Sequence, residues 1–279
     1  MRLTACLRVG CCWLALLAQA AGAPSCDRAA ASEPVRLDHV SDRLDIVLVD
    51  GRQVAFPMLE PPRATAKAPQ RPHETALELT SLLRGQTLLV LPLGPTDRWG
   101  RLPARIFVES SDEAADETLA AAGLAMASAD PGACGAGALA AEQAARAARL
   151  GLWADPDFAV LATDDPAAFA ARAGTLAIVE GRIRSVGRAG SRIYLNLAGG
   201  SPGGRSGGVS LVLARRSLPA FENAGFSLQS LPNRRIRARG VVEIGAAPQI
   251  ELFHPGQIEF MEEAPRPDGA RRPDSPGRN

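Results

Sequence analysis

The stretch Asp97-Arg98-Trp99-Gly100-Arg101, continued by Leu102-Pro103-Ala104-Arg105-Ile106-Phe107-Val108, decides the fold prediction for this chain. A turn that carries two arginines leads directly into a segment rich in β-branched and aromatic residues, which are typical of a strand. Two Ala-rich segments follow at residues 112–122 and 137–150, and both favour helices. The second of them leads into Gly151-Leu152-Trp153.

The residues before this turn predict a small sheet. Asp50-Gly51 is a strong hairpin signal between apolar runs at 44–49 and 54–59. A proline-rich loop then leads to a helix that begins at Glu74 and is closed by Gly85, and a buried strand is predicted at 87–91. Strands first and helices last indicate an α+β domain, a small barrel with helices at one end.

In this order the segments resemble the staphylococcal nuclease (thermonuclease) family, over roughly residues 34–153. The resemblance implies a five-stranded OB-type barrel with three helices. It also implies calcium-dependent cleavage of phosphodiesters, in which oxygen ligands hold the ion, a base activates water and guanidinium groups stabilise the phosphate.

The family's active-site motifs are only partly present. The Asp-x-Tyr/Trp-Gly-Arg turn is complete and provides Arg101. The strand motif Arg-Leu-x-x-x-Asp-x-Pro-Glu aligns with residues 55–63, which places Ala55 at the catalytic arginine, Glu60 at the metal aspartate and Arg63 at the glutamate base. The Asp-Gly-Asp-Thr turn aligns with residues 41–45, where the metal position is Leu44 or, in another register, Asp42 or Asp45.

These departures predict that the family mechanism does not operate here. Losing one preorganised donor costs about 10²–10³-fold and losing a base about 10²–10⁴-fold. We expect an exported, non-catalytic or weakly catalytic homologue that acts as a binding or assembly module with a protein partner. The alternative is a nuclease with a rearranged site, in which Arg101 and Arg63 are catalytic and Glu60 and Asp42 bind Ca²⁺.

Residues 175–263 predict a second domain. Five candidate strands at 176–186, 192–197, 208–213, 235–244 and 249–253, with a helix at 218–224 after the third, have the order of an OB-fold. We interpret residues 154–174 as a linker and residues 264–279, which are rich in Pro, Arg, Gly and Asp, as a disordered tail.

The charge is unevenly divided between the two halves. Residues 27–174 contain 14 basic and 21 acidic side chains, a net charge of −7, whereas residues 175–263 contain 11 and 7, a net charge of +4. Arg235, Arg237 and Arg239 alternate along one strand, and with Tyr194 and Phe253 as stacking platforms they fit a groove for single-stranded nucleic acid or another polyanion. Alternatively, they form a solvated charged face paired with Glu243 and Glu251.

The first 23 residues have the pattern of a secretory signal, with Arg2 and Arg8 before an apolar core and small residues at the cleavage site. This predicts a periplasmic or secreted bacterial protein with no stable membrane span after cleavage; a retained anchor and a lipoprotein modified at Cys26 are the alternatives. Cleavage leaves Cys26 and Cys134, which in an oxidising compartment form either a disulfide or two unpaired thiols.

Overall fold

The computed structural model describes residues 26–31, 34–197 and 208–261. The predicted signal peptide (1–23) and the predicted disordered tail (264–279) lie outside these residues. Within the described part of the chain, no helix is long and apolar enough to cross a membrane.

The N-terminal half combines short strands with three α-helices, as the sequence predicts. Its elements are β1 (Pro34–Val35), β2 (Leu37–Val40), β3 (Ile46–Leu48), β4 (Gln53–Ala55), β5 (Leu59–Glu60), α1 (Arg71–Leu83), β6 (Leu88–Pro92), β7 (Arg101–Val108), α2 (Ala115–Ala121), β8 (Met126–Ala127) and α3 (Ala136–Ala148).

Six of these strands form one sheet in the order β1-β6-β7-β4-β3-β2. Only Arg36 separates β1 from β2, and these two strands are the two ends of the sheet order, so one bent segment closes the sheet into a barrel. Strand β4 runs parallel to β7, whereas the other pairings in this sheet are antiparallel. The predicted five-stranded OB-type barrel is therefore confirmed.

Helix α1 connects β5 to β6 and packs its apolar side on the barrel. Leu79 and Leu83 are fully buried in the same core cluster as Ile46 and Leu88. The helix begins at Arg71, three residues before the predicted start at Glu74, because Pro72 fits the first turn of a helix.

The C-terminal half is a second barrel. Its elements are β10 (Leu176–Ala189), β11 (Arg192–Leu197), β12 (Ser210–Ala214), α5 (Leu218–Asn223), β13 (Arg235–Ile244), β14 (Pro248–Leu252) and β15 (Ile258–Phe260), which follow β9 (Leu161–Ala162) and α4 (Pro166–Ala171).

Five of these strands close into a ring. Strand β10 pairs with β11, β11 with β12, β12 in parallel with β14, β14 with β13, and β13 again with β10. This order, with a helix after the third strand, is an OB-like topology. It is also the order of the N-terminal barrel, so the chain contains two barrels of the same connectivity.

The segment interpreted as a linker is part of the second domain. Strand β9 pairs in parallel with β10, and Phe169 of α4 is buried in the C-terminal core. The pattern of apolar and charged residues in this segment does not predict its packing on the second domain, because β9 contains only two residues and α4 only six.

The two barrels pack against each other through a small apolar cluster. Trp153 and Leu152, which follow α3, lie in it together with Leu176 and Ile178 of β10. A disulfide joins Cys26 to Cys134 within the N-terminal domain, across a sequence separation of 108 residues.

Candidate functional site

The turn from Asp97 to Arg101 is built around the Asp97 carboxylate. One oxygen, Oδ1, accepts hydrogen bonds from the backbone amides of Trp99 and Arg101, both at 2.9 Å. Gly100 has a φ of 82°, a conformation that glycine adopts without a steric cost. The turn therefore delivers Arg101 to the first position of β7 in a fixed orientation.

The Arg101 guanidinium lies between two carboxylates. Its Nε and Nη2 atoms are 3.0 and 2.9 Å from Asp97 Oδ2, and its Nη1 atom is 3.0 Å from Asp45 Oδ1. Desolvation opposes the charged form of Arg101, but the bonds to Asp97 and Asp45 outweigh it and raise the pKa of Arg101. For Asp97, desolvation is likewise outweighed by the hydrogen bonds from Arg101 and Trp99, which lower the pKa of Asp97.

Asp45 is placed by the turn before β3. The Ser41 hydroxyl accepts hydrogen bonds from the backbone amides of Arg43 and Asp45, at 3.3 and 3.1 Å. Leu44 adopts a φ of 61° and is buried in the barrel core. Because burial of this side chain fixes the backbone on both sides of it, the Asp45 carboxylate points to Arg101 rather than to solvent.

A cleft of about 280 Å³ lies beside this ion-pair cluster. Its walls come from the turn before β3, from the segment between β4 and β5, and from the turn before β7. The residues that line it are Arg43, Leu44, Asp45, Ala55, Phe56, Pro57, Leu59, Glu60, Pro61, Asp97, Arg101 and Pro103. This is where the resemblance predicts an active site, and Glu60 and Arg101 both lie in it.

Glu60 differs from the other two carboxylates of the cleft. Its side chain reaches solvent, yet protein atoms surround enough of the carboxyl group for desolvation to raise the pKa of Glu60. No hydrogen bond or ion pair of its side chain is present among the described residues. Asp45 and Asp97, in contrast, are both bonded to Arg101.

We expect Glu60→Gln to raise the free energy of unfolding at pH 7 by less than about 1 kcal/mol. A carboxyl group whose pKa is higher in the folded state disfavours folding once it ionises, so the gain appears as the pH rises above the ordinary pKa of about 4.5 and is absent below it. Urea unfolding at pH 7 and pH 4 measures this, with Glu78→Gln on the exposed side of α1 as control. An equal gain at both pH values would contradict the assignment.

Two other predicted site residues lie elsewhere. Arg63 donates from Nη2 to the Asp157 carbonyl oxygen at 2.6 Å, and its guanidinium stacks 4.8 Å from the ring centre of Phe158. Asp42 Oδ1 lies 3.1 Å from His73 Nδ1, on the exposed surface. Neither residue lines the cleft. The structure therefore does not bring Arg63 and Asp42 together with Arg101 and Glu60 at this cleft, since each of the two side chains is bonded elsewhere.

The carboxylates of the cleft do not fit calcium. Ca²⁺ takes six to eight oxygen ligands, mostly from carboxylates, carbonyls and waters. Of the three carboxylates that line the cleft, Asp45 and Asp97 are bonded to Arg101, which leaves Glu60. Among residues 26–31, 34–197 and 208–261, no group of three or more His, Cys, Asp or Glu side chains is placed to hold a metal ion.

The arginine row of β13 is part of the contact between the two domains. Arg239 is 1% exposed, and its Nη1 and Nη2 atoms donate to the Glu142 carboxylate of α3 at 3.0 and 2.9 Å. The same Nη1 atom donates to the Ala127 carbonyl oxygen at 3.0 Å, and Nη2 donates to Glu259 at 3.2 Å. A buried guanidinium with these partners cannot contact a polyanion in this arrangement.

The other two arginines of the row are also paired. Arg237 lies 3.0 Å from Glu180 and 3.3 Å from Glu259, and Arg235 forms an ion pair with Glu180. The three arginines do share one side of β13, but their partners come from β10, β15 and α3. The predicted groove at Arg235, Arg237 and Arg239 is therefore corrected to an ion-pair network, and the predicted alternative partners Glu243 and Glu251 are wrong as well.

No curated protein matches the sequence. Residues 62–155 match the family described as Staphylococcal nuclease homologue. The match begins just after β5, and the strands before it complete the same barrel. Residues 62–155 are therefore similar to a staphylococcal nuclease homologue domain, and the Arg101 turn lies inside the matched segment.

Proposed function

We propose that this protein is an exported, non-catalytic or weakly catalytic thermonuclease-like protein that works as a binding or assembly module. The observation that carries the proposal is the state of Arg101, whose guanidinium is bonded on one side to Asp97 and on the other to Asp45. An arginine whose charge is neutralised by two carboxylates is a poor stabiliser of a phosphate that gains negative charge.

The rest of the cleft supports the same proposal. Ala55 lines the wall where the family places its other arginine, and Ala55 has no charge. Glu60 has the raised pKa and the open position that a base needs, but the cleft offers no set of oxygen ligands for a metal ion. Binding of a partner at the cleft requires neither a second arginine, nor a base, nor ligands for a metal ion.

Export is supported by the leader-like first 23 residues and by the disulfide between Cys26 and Cys134. Disulfides are typical of the periplasm and of secreted proteins, since cytosolic thiols are kept reduced. Within the chain the disulfide ties the segment before β1 to the start of α3, so an oxidising compartment stabilises the domain that contains the cleft.

A calcium-dependent phosphodiesterase with a rearranged site is the competing function, and digestion of single-stranded DNA by the purified protein separates the two. We expect no calcium-stimulated digestion above the level of an Arg101→Ala variant. Calcium-stimulated turnover that Arg101→Ala abolishes would favour the nuclease and contradict the proposal.

A further inference from the structure

A second basic surface lies on the C-terminal barrel, away from the network around Arg239. It is the outer face of β11, β12 and the end of β14, together with the β10–β11 hairpin tip. We call it the β11–β12 face and define it by Arg192, Tyr194, Arg215, Arg216 and Phe253. Arg192 pairs with Ala214, whereas Ile193 and Leu213, one residue further, point into the core. Arg192 and Tyr194 therefore point outward, since side chains alternate along a strand.

Three arginines lie at one end of this face. Arg192 is the first residue of β11, and Arg215 and Arg216 follow directly after β12. The Arg215 backbone amide donates to the Ser191 carbonyl oxygen at 2.8 Å, and its side chain reaches the Gly190 carbonyl oxygen at 3.5 Å. The tip of the β10–β11 hairpin thus lies beside arginines from two chain segments.

These arginines are exposed and carry no ion pair within the described residues. This separates them from Arg235, Arg237 and Arg239, whose charges are balanced by glutamates. Two acidic residues, Glu251 and Glu243, lie on the same face, but they are on β14 and β13, at least two strands away from β11. Three cations without an ion pair at one end of the face favour a polyanionic ligand.

An aromatic ring is held next to this tip. Phe253 follows directly after Leu252, which pairs with Leu213, so Phe253 is adjacent to Ala214 and two strands from Arg192. Its side chain is 62% exposed. The backbone beneath it is fixed by the buried Gln257, whose Oε1 atom accepts from the amides of Phe253 and His254 at 2.6 and 2.8 Å. A large apolar ring kept in solvent on a rigid backbone is suited to stacking.

Polar side chains continue the face beyond Tyr194. Asn196 donates from Nδ2 to the Ser185 hydroxyl at 3.0 Å and accepts from the Ser210 hydroxyl at 2.9 Å. Hydrogen-bonding groups beside aromatic rings and cations favour a ligand that has bases as well as phosphates. An anionic lipid surface needs the cations alone, and paired bases of a duplex are not available for stacking.

We propose that the β11–β12 face binds single-stranded nucleic acid. Arg192, Arg215 and Arg216 contact phosphates, while Phe253 and Tyr194 stack on bases. The inference deepens the proposed role as a binding module by naming the ligand class and the surface, and it does not depend on the cleft at Arg101.

Fluorescence anisotropy with a labelled 20-nucleotide oligo(dT) tests the proposal on the whole mature protein. EDTA is present and suppresses any calcium-dependent cleavage during the binding measurement. Whether the proposed function fails is decided separately, by the digestion of single-stranded DNA. We expect Arg192→Glu with Arg215→Glu to weaken binding by about tenfold or more. The matched control is Arg36→Glu with Arg84→Glu, which makes the same change at exposed arginines without ion pairs on the N-terminal domain; we expect a change of less than about twofold.

Two further variants separate phosphate contacts from stacking. Arg192→Ala with Arg215→Ala should reduce the slope of log affinity against log salt concentration by about 1.4, since each phosphate contact to a single strand contributes about 0.7. Phe253→Ala should weaken binding by about tenfold and leave that slope unchanged.

Several results would overturn the proposal. They are the absence of oligo(dT) binding, full affinity in Arg192→Glu with Arg215→Glu, and an equal loss in the control pair. Binding to phosphatidylserine vesicles without binding to oligo(dT) would show that the ligand is a membrane surface instead. Circular dichroism of each variant confirms that it is folded.

Discussion

Glu142→Leu is expected to lower the free energy of unfolding by about 3–5 kcal/mol. The Glu142 side chain has no exposure to solvent and lies within 3.1 Å of both Arg239 and Arg146, whose side chains are 2% and 8% exposed. It also accepts a hydrogen bond from the Ala127 amide at 2.6 Å. Removing the carboxylate leaves two buried guanidinium groups competing for Glu259.

Urea unfolding followed by the fluorescence of Trp153, which lies at the same contact between the domains, measures this loss. Glu222→Leu is the control, because Glu222 is exposed on α5 and makes no ion pair among the described residues. A change of less than about 1 kcal/mol in Glu142→Leu would contradict the buried network.

The double variant Glu142→Leu with Arg239→Met separates a buried charge from simple loss of contacts. We expect it to be more stable than the sum of the two single losses predicts, because the pair is replaced together and neither partner stays buried alone. Strictly additive losses would mean that Glu142 and Arg239 do not interact across the two domains.

Loss of the disulfide is the second large effect. Replacing both Cys26 and Cys134 by alanine is expected to lower the free energy of unfolding by about 3–5 kcal/mol, because the cross-link closes a long loop in the unfolded chain. The sequence separation of 108 residues spans nearly the whole N-terminal domain. The Cys26 carbonyl also accepts a hydrogen bond from Arg105 at 2.9 Å, so the tethered segment packs on the barrel.

Urea unfolding with and without dithiothreitol measures this contribution. The reductant should bring the native protein to the stability of the double-alanine variant and leave that variant unchanged. A native protein whose unfolding midpoint is insensitive to the reductant, once the thiols are shown to be reduced, would contradict a stabilising cross-link.

Both barrels could be predicted from local patterns. Asp50-Gly51 predicts the β3–β4 hairpin, and the apolar spacing of Ala76, Leu79 and Leu83 predicts the buried side of α1. In the second half, five separated apolar runs with one helix after the third predict the strand and helix order of an OB-like domain. Turn residues and periodicity act over a few positions, so they are readable from one sequence.

The long-range partners of the charged residues could not be predicted. Arg239 has the alternation of an outward-facing residue on β13, but its main partner Glu142 lies 97 residues away on α3, and docking of the two domains buries both. Arg63 aligns with a catalytic base but reaches Asp157, 94 residues later. Such contacts depend on how the barrels and helices pack, and spacing within one segment carries no information about them.

The register of the first turn shows the same limit. Sequence alignment leaves Leu44, Asp42 and Asp45 as alternatives for one position. The structure places Asp45 on Arg101, because Leu44 enters the core and the Ser41 hydroxyl holds the turn, whereas Asp42 points to His73. Burial of a single leucine thus decides which aspartate lies at the cleft.

We expect that Arg101 and its neighbours do not form a calcium-dependent phosphodiesterase. The most direct measurement is the rate at which the purified mature protein digests end-labelled single-stranded DNA in calcium and in EGTA, with staphylococcal nuclease as the positive control. We expect a calcium-stimulated rate at least about 10⁴-fold below that control, and the same residual rate in Arg101→Ala. Calcium-stimulated digestion within about a hundredfold of the control, abolished by Arg101→Ala, would contradict it.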